Sequence, residues 1–159
     1  MRRKFRVVGV GGTFDELHKG HKALLERAFE VGDKVWIGLT TDEFAAKLGK
    51  KHKVSPYHVR LDMLRRFLKE RGLFHRAEIM PLNDPCGPAA TSPEIEAIVV
   101  SRETEAGAYK INLHRMKRGL PPIRVIVIDM VPAEDQVPIS TTRIKRGEID
   151  RWGRLLIRR

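Results

Sequence analysis

Residues 5–31, FRVVGVGGTFDELHKGHKALLERAFEV, decide the fold. The stretch opens with an apolar run of strand length, residues 5–10. It closes with a helical stripe, Leu24, Leu25, Ala28 and Phe29, within residues 20–31. Between them lies a turn carrying Gly11 and Gly12, with Gly20 at the start of the helix. Strand, glycine-bearing turn and helix in that order make a β–α unit.

The rest of the chain repeats the pattern. Residues 34–40 (KVWIGLT), 77–82 (AEIMPL), 95–100 (IEAIVV) and 123–131 (IRVIVIDMV) read as four further strands. Helices are predicted from Asp42 to Leu48, up to Arg71, and over 103–118. Ser55 is expected to cap the second of these, with Pro56 at its first position and Gly72 ending it. Ser140 is expected to cap a last one. Residues 83–93, with four prolines and glycines, read as a loop. Strands apolar throughout and separated by helices imply a parallel sheet covered on both faces. The expected fold is a single doubly wound, Rossmann-like α/β domain over residues 1–159, with a five-stranded sheet and a basic tail from about residue 150. Ligands of such folds sit beyond the carboxyl ends of the strands, so the segments leaving each strand carry the functional information.

Composition bounds the class. The chain is 42% hydrophobic and 32% charged, which is globular rather than disordered. No apolar run reaches the ~18 residues of a membrane span, and the basic start is not followed by a signal-peptide core. One cysteine, Cys86, excludes an internal disulfide and a Cys-rich zinc site, and the expected compartment is the cytoplasm. The net charge of +11 points to a polyanion without choosing among nucleic acid, anionic lipid and a phosphorylated small molecule.

Four segments could meet such a partner. Gly11 and Gly12 allow backbone to approach a phosphate, although a tight turn alone would also use them. His18 and His21 flank Gly20 where a helix begins, and two imidazoles there can donate to phosphate oxygens, more strongly if protonated. A zinc pair is the rival reading, but no third ligand is evident nearby, and Asp15 is assigned to the turn. Lys50, Lys51, His52 and Lys53 form a basic loop, either solvated or reaching phosphates as point charges. Ser101 or Thr104 can cap the helix that carries Asn112 and Arg115. Ser140, Thr141 and Thr142 place three hydroxyls at a helix start, where a cap needs one, and Arg143 and Lys145 add charge. Trp152 is expected to pack the tail onto the body.

Gly11-Gly12-Thr13-Phe14-Asp15 with His18-x-Gly20-His21, followed by Ile139-Ser140-x-Thr142-Arg143, resembles the HxGH nucleotidyltransferase superfamily. VSRETEAGAYKINLHR (100–115), GLPPIRV (119–125) and ISTTRIKRGEID (139–150) are most similar to the archaeal and eukaryotic type of phosphopantetheine adenylyltransferase. The resemblance implies adenylyl transfer from ATP, with Mg²⁺, to 4′-phosphopantetheine, giving dephospho-coenzyme A and pyrophosphate. It assigns Thr13 to the acceptor phosphate and His18 to the α-phosphate oxygens. His21 supports the nucleotide phosphates and ribose. Ser140, Thr141 and Thr142 take the β- and γ-phosphates, with Arg143 as a weaker candidate. Lys51 or Lys53 matches the phosphate-binding lysine. No metal ligand set is expected from the protein. Arg102 departs from the acid often found at that position, and Thr141 from a frequent serine. The alternatives are another acceptor (FMN, nicotinamide mononucleotide or an alcohol phosphate) or a basic nucleic-acid-binding domain. Against the latter, aromatic residues for stacking are only 6% of the chain.

Overall fold

The computed structural model describes residues 3–49 and 53–156. Among the described residues there are five strands: β1 (Phe5–Gly12), β2 (Gly32–Thr40), β3 (Ala77–Leu82), β4 (Ala97–Ser101) and β5 (Arg124–Ile128). They form one parallel sheet in the order β3-β2-β1-β4-β5. Five helices accompany them: α1 (Lys19–Val31), α2 (Asp42–Lys47), α3 (Tyr57–Glu70), α4 (Glu105–Lys117) and α5 (Thr141–Lys145). The strand order reverses at β1, so β1 and β4 open a crevice at their carboxyl ends, the switch point of a doubly wound sheet.

Alternation along the strands sends each set of side chains to its own helices. Val8, Val10, Val35, Ile37, Ala97 and Val99 pack with Leu25, Ala28 and Phe29 of α1 and Leu64, Phe67 and Leu68 of α3. On the other face Val7, Trp36 and Ile98 meet Ile111 of α4 and Ala89. A third, smaller cluster, Ala133, Ile139 and Ile149, folds the segment after β5 onto itself.

Several boundaries differ from the sequence reading. β5 stops at Ile128, the register partner of Ser101, because β4 has ended and residues 129–131 have no ladder to join. β1 continues to Gly12 because β2 still pairs with it, Gly12 opposite Leu39. Ser55 does not cap α3. Pro56 holds the cap position without a side-chain bond. The N–H of Tyr57 is instead satisfied by the Asp42 carboxylate at 2.9 Å, and the N–H of Ser55 turns to Asp15. Ser140 does cap α5, its hydroxyl accepting from the Arg143 N–H at 3.2 Å. Residues 87–90 of the expected loop form a 3₁₀ turn. Trp152 stays 58% exposed and meets the body through Lys22 of α1, whose Nζ lies 6.0 Å from its ring centre, and backbone and ion-pair bonds add to that anchor. The backbone N–H of Lys19 donates to the Arg151 carbonyl, and the Arg151 guanidinium pairs with Glu16 at 2.9 Å. No helix among the described residues is long and apolar enough to cross a membrane.

Candidate active site

A cavity of about 340 Å³ lies over the carboxyl ends of β1, β4 and β5. The turn after β1, the start of α1 and residues 138–142 close its sides. The glycine-rich motif and the hydroxyl motif, about 120 residues apart in sequence, thus face one space.

His18 is the N-cap of α1. Its Nδ1 accepts from the backbone N–H groups of Gly20 at 3.0 Å and His21 at 3.3 Å. His21 returns the bond, its Nδ1 accepting from the His18 N–H at 3.2 Å. The two rings stack with centroids 3.6 Å apart, and Phe14 meets His21 edge-on. This is a capping box built from two histidines, where Ser and Glu are the usual pair. Since each Nδ1 is an acceptor, the proton of each ring sits on Nε2. His18 is buried, and desolvation lowers its pKa to about 4. At neutral pH His18 is an uncharged donor and a poor base.

Glycine at position 20 has a steric cause. A Cβ there would lie 2.9 Å from His18 Cε1 and 3.0 Å from Nδ1. At Gly12 a Cβ would press the Phe14 ring at 3.2 Å. Phe14, Glu16 and Leu17 all have positive φ, at 50°, 63° and 29°. Such a run of side-chain-bearing residues is strained and persists only where surroundings over-determine it.

Asp15 supplies that determination. Only 3% exposed, its carboxylate accepts from the N–H groups of Glu16 and Ser55 and pairs with Lys145 at 3.1 Å. Its carbonyl accepts from the Thr141 hydroxyl at 2.9 Å. Burial pushes the Asp15 carboxyl up, but the bonds and charge from Lys145 and Ser55 outweigh it and hold the group below its ordinary range. Lys145 also donates to the Lys53 carbonyl at 2.6 Å, fixing the end of the basic loop.

The expected site residues divide accordingly. Gly11, Gly12, Thr13, Phe14, His18, His21, Ser140, Thr141 and Thr142 all line the cavity. The Thr141 hydroxyl proton is committed to Asp15, so Thr141 contributes as a buried latch and not as a hydroxyl donor. Ser140 uses its oxygen for the cap and keeps its proton. Arg143 lies away from the cavity lining, its guanidinium held by Asp135 and by Glu148 at 3.0 Å. It braces the hydroxyl motif from behind. Lys53 is exposed and does not line the cavity, and Lys51 lies outside the described residues. Ser101 and Thr104 line the mouth, and Thr104 caps α4 without a side-chain bond to it. Arg102 pairs with Asp129 at 2.9 Å, and Asp129 lines the same mouth.

The sequence reading did not single out Arg60. Arg60 is 0% exposed and donates to the carbonyls of Thr13, Thr40 and Ser55. The available signal was its place on the apolar stripe of α3 with Leu64, Phe67 and Leu68.

Residues 10–147 match the cytidylyltransferase-like family. A phosphopantetheine adenylyltransferase of Methanothermobacter thermautotrophicus is 49% identical over 158 residues, 99% of this chain and 94% of that protein. One from Methanopyrus kandleri is 50% identical over 92% of each chain. The chain belongs to the phosphopantetheine adenylyltransferase family. Among solved structures, an Archaeoglobus fulgidus protein described as of unknown function superposes with a TM-score of 0.69 at 31% identity. That match covers 84% of this chain and 98% of the other. Membership places this phosphopantetheine adenylyltransferase relative within the nucleotidyltransferases that the paired histidine motif suggested.

Proposed function

We propose that the protein transfers the adenylyl group of ATP to the phosphate of 4′-phosphopantetheine, forming dephospho-coenzyme A and pyrophosphate in coenzyme A synthesis. The observation that carries the reading is the reciprocal histidine cap on α1, which places two imidazoles at a helix start on the cavity wall in a member of this family.

An oxygen of the acceptor phosphate attacks the α-phosphorus. The bond from that phosphorus to the bridging oxygen breaks, and pyrophosphate leaves with the electron pair. The acceptor oxygen is already anionic, so no general base is required. His18, with its pKa near 4, is unsuited to being one at neutral pH. Its role is to donate Nε2–H to an α-phosphate oxygen as charge grows there, from a position fixed before the substrate arrives. His21 donates beside it. Thr13 orients the acceptor phosphate. Ser140 and Thr142 meet the β- and γ-phosphates at the far wall, and Lys51 or Lys53 supplies charge from the loop. In-line placement of two bound substrates is the other source of acceleration.

Mg²⁺ would enter as part of the ATP substrate and would supply positive charge to its phosphates. Among the described residues no three metal-ligating side chains are grouped, and Asp15 is turned to Lys145. The single cysteine and the biosynthetic reaction accord with a cytoplasmic enzyme.

The test is pyrophosphate release from ATP and Mg²⁺ with each acceptor in turn. Turnover with 4′-phosphopantetheine and not with FMN or nicotinamide mononucleotide supports the reading. The reverse pattern refutes the acceptor.

A further inference from the structure

We infer that Thr40, held by Arg60, fixes the direction in which Thr13 donates its hydroxyl proton, so that Thr40 and Arg60 position the acceptor phosphate without touching it. The inference rests on the reading above that Thr13 meets the acceptor.

A guanidinium has only donors. Arg60 Nε donates to the Ser55 carbonyl at 2.8 Å, and Nη2 to the Asp42 carboxylate at 3.0 Å. Nη1 reaches the Thr40 carbonyl at 2.8 Å, the Thr13 carbonyl at 3.0 Å and the Thr40 hydroxyl oxygen at 3.3 Å. Thr40 Oγ1 therefore accepts from Arg60. Its one proton goes to Thr13 Oγ1, 3.1 Å away. Thr13 Oγ1 accepts in turn, and its own proton is left for the cavity that Thr13 lines. The chain of bonds has one sense, from Arg60 through Thr40 to Thr13.

That sense matters because a hydroxyl rotates. A threonine with no such partner can present either its proton or a lone pair to an arriving phosphate, and only the proton is attractive. Thr40 is 2% exposed and Arg60 fully buried, so no water competes for these bonds. The same guanidinium ties the ends of β1 and β2 to the segment before α3. The position of Thr13 and the direction of its hydroxyl thus share one anchor.

A double-mutant cycle tests it. Thr40→Val keeps the shape and removes the hydroxyl. It should lower kcat/KM for the acceptor by about 10-fold, the scale of a hydrogen bond to a charged group, with the KM for ATP unchanged. Thr40→Ser restores the hydroxyl and should come within about 2-fold of wild type. In a Thr13→Val background, Thr40→Val should cost less than about 2-fold, because the group it acts through is gone. Equal losses in both backgrounds, or a Thr40→Ser loss as large as that of Thr40→Val, would overturn the inference. If the wild type turns over another phosphorylated acceptor but not 4′-phosphopantetheine, the functional reading fails, and the cycle is read with the acceptor used. Turnover with no acceptor overturns both.

Discussion

His18 and His21 cap the same helix through each other: His18 Nδ1 accepts the His21 N–H at 3.3 Å, and His21 Nδ1 accepts the His18 N–H at 3.2 Å. The relationship turns two backbone groups into the agents that select the tautomer of both rings. The helix start and the candidate catalytic donors are therefore one structure, and a substitution at either histidine touches stability and chemistry together.

The two roles can be separated at position 18. His18→Ala removes cap and donor, and should lower kcat by about 10²–10³-fold and cost about 1 kcal/mol of stability. His18→Asn retains a capping oxygen and should lose kcat to a similar degree with little change in unfolding midpoint. Steady-state kinetics beside urea unfolding of both variants checks this. Near-normal kcat in a folded His18→Asn protein contradicts the donor role.

Acid should destabilise the protein through His18. The unfolded chain takes up its proton near pH 6.5, the folded protein only near pH 4. As pH falls between these values the unfolded state binds more protons, so stability present above 6.5 is lost toward 4. From pH 7 to 4.5 the wild type should lose about 2–3 kcal/mol more than His18→Asn, whose other titrating groups are the same. Asp15 does not confuse the window, because its lowered carboxyl titrates beneath it. Parallel unfolding free energies of the two proteins across that range would contradict the assignment.

Gly20→Ala should divide stability from activity. Alanine is the better helix former by about 1 kcal/mol. Its Cβ nevertheless falls 2.9 Å from the His18 ring and must displace it. The expected outcome is an unfolding midpoint at or near the wild-type value with kcat lower by about 10–100-fold, the scale of a misplaced catalytic group. Unchanged kcat would show that the ring tolerates the shift.

Lys145→Met leaves the Asp15 carboxylate buried without its counter-charge, although the N–H groups of Glu16 and Ser55 remain. It should destabilise the protein by about 2–3 kcal/mol. It should also release the Lys53 carbonyl, raising protease cleavage at Lys53. An unfolding curve and a timed proteolysis read the two effects.

The sheet was legible because its strands are apolar on both faces, a pattern that residues 5–10 and 34–40 announce. The crevice followed from topology, and the histidine and hydroxyl motifs both fall in it. The ends of elements were less legible, because partners distant in sequence set them. Asp42 caps α3 from outside, and β5 stops where β4 does. The same reason hid Arg60, whose bonds run to residues 13 and 40. It also hid the commitment of Arg143 and Thr141 to bracing: no local spacing shows that Asp135, Glu148 and the Asp15 carbonyl already hold them. Arg151, an unexplained part of the +11 charge, is likewise an anchor through Glu16.

Following the α-phosphate tests adenylyl transfer most directly. The protein is incubated with Mg²⁺, 4′-phosphopantetheine and ATP labelled at the α-phosphate, and the products are separated. Label should appear in dephospho-coenzyme A, with one pyrophosphate for each adenylyl group moved and no label on the protein. Label that stays in ATP, or that appears bound to the protein, would contradict it.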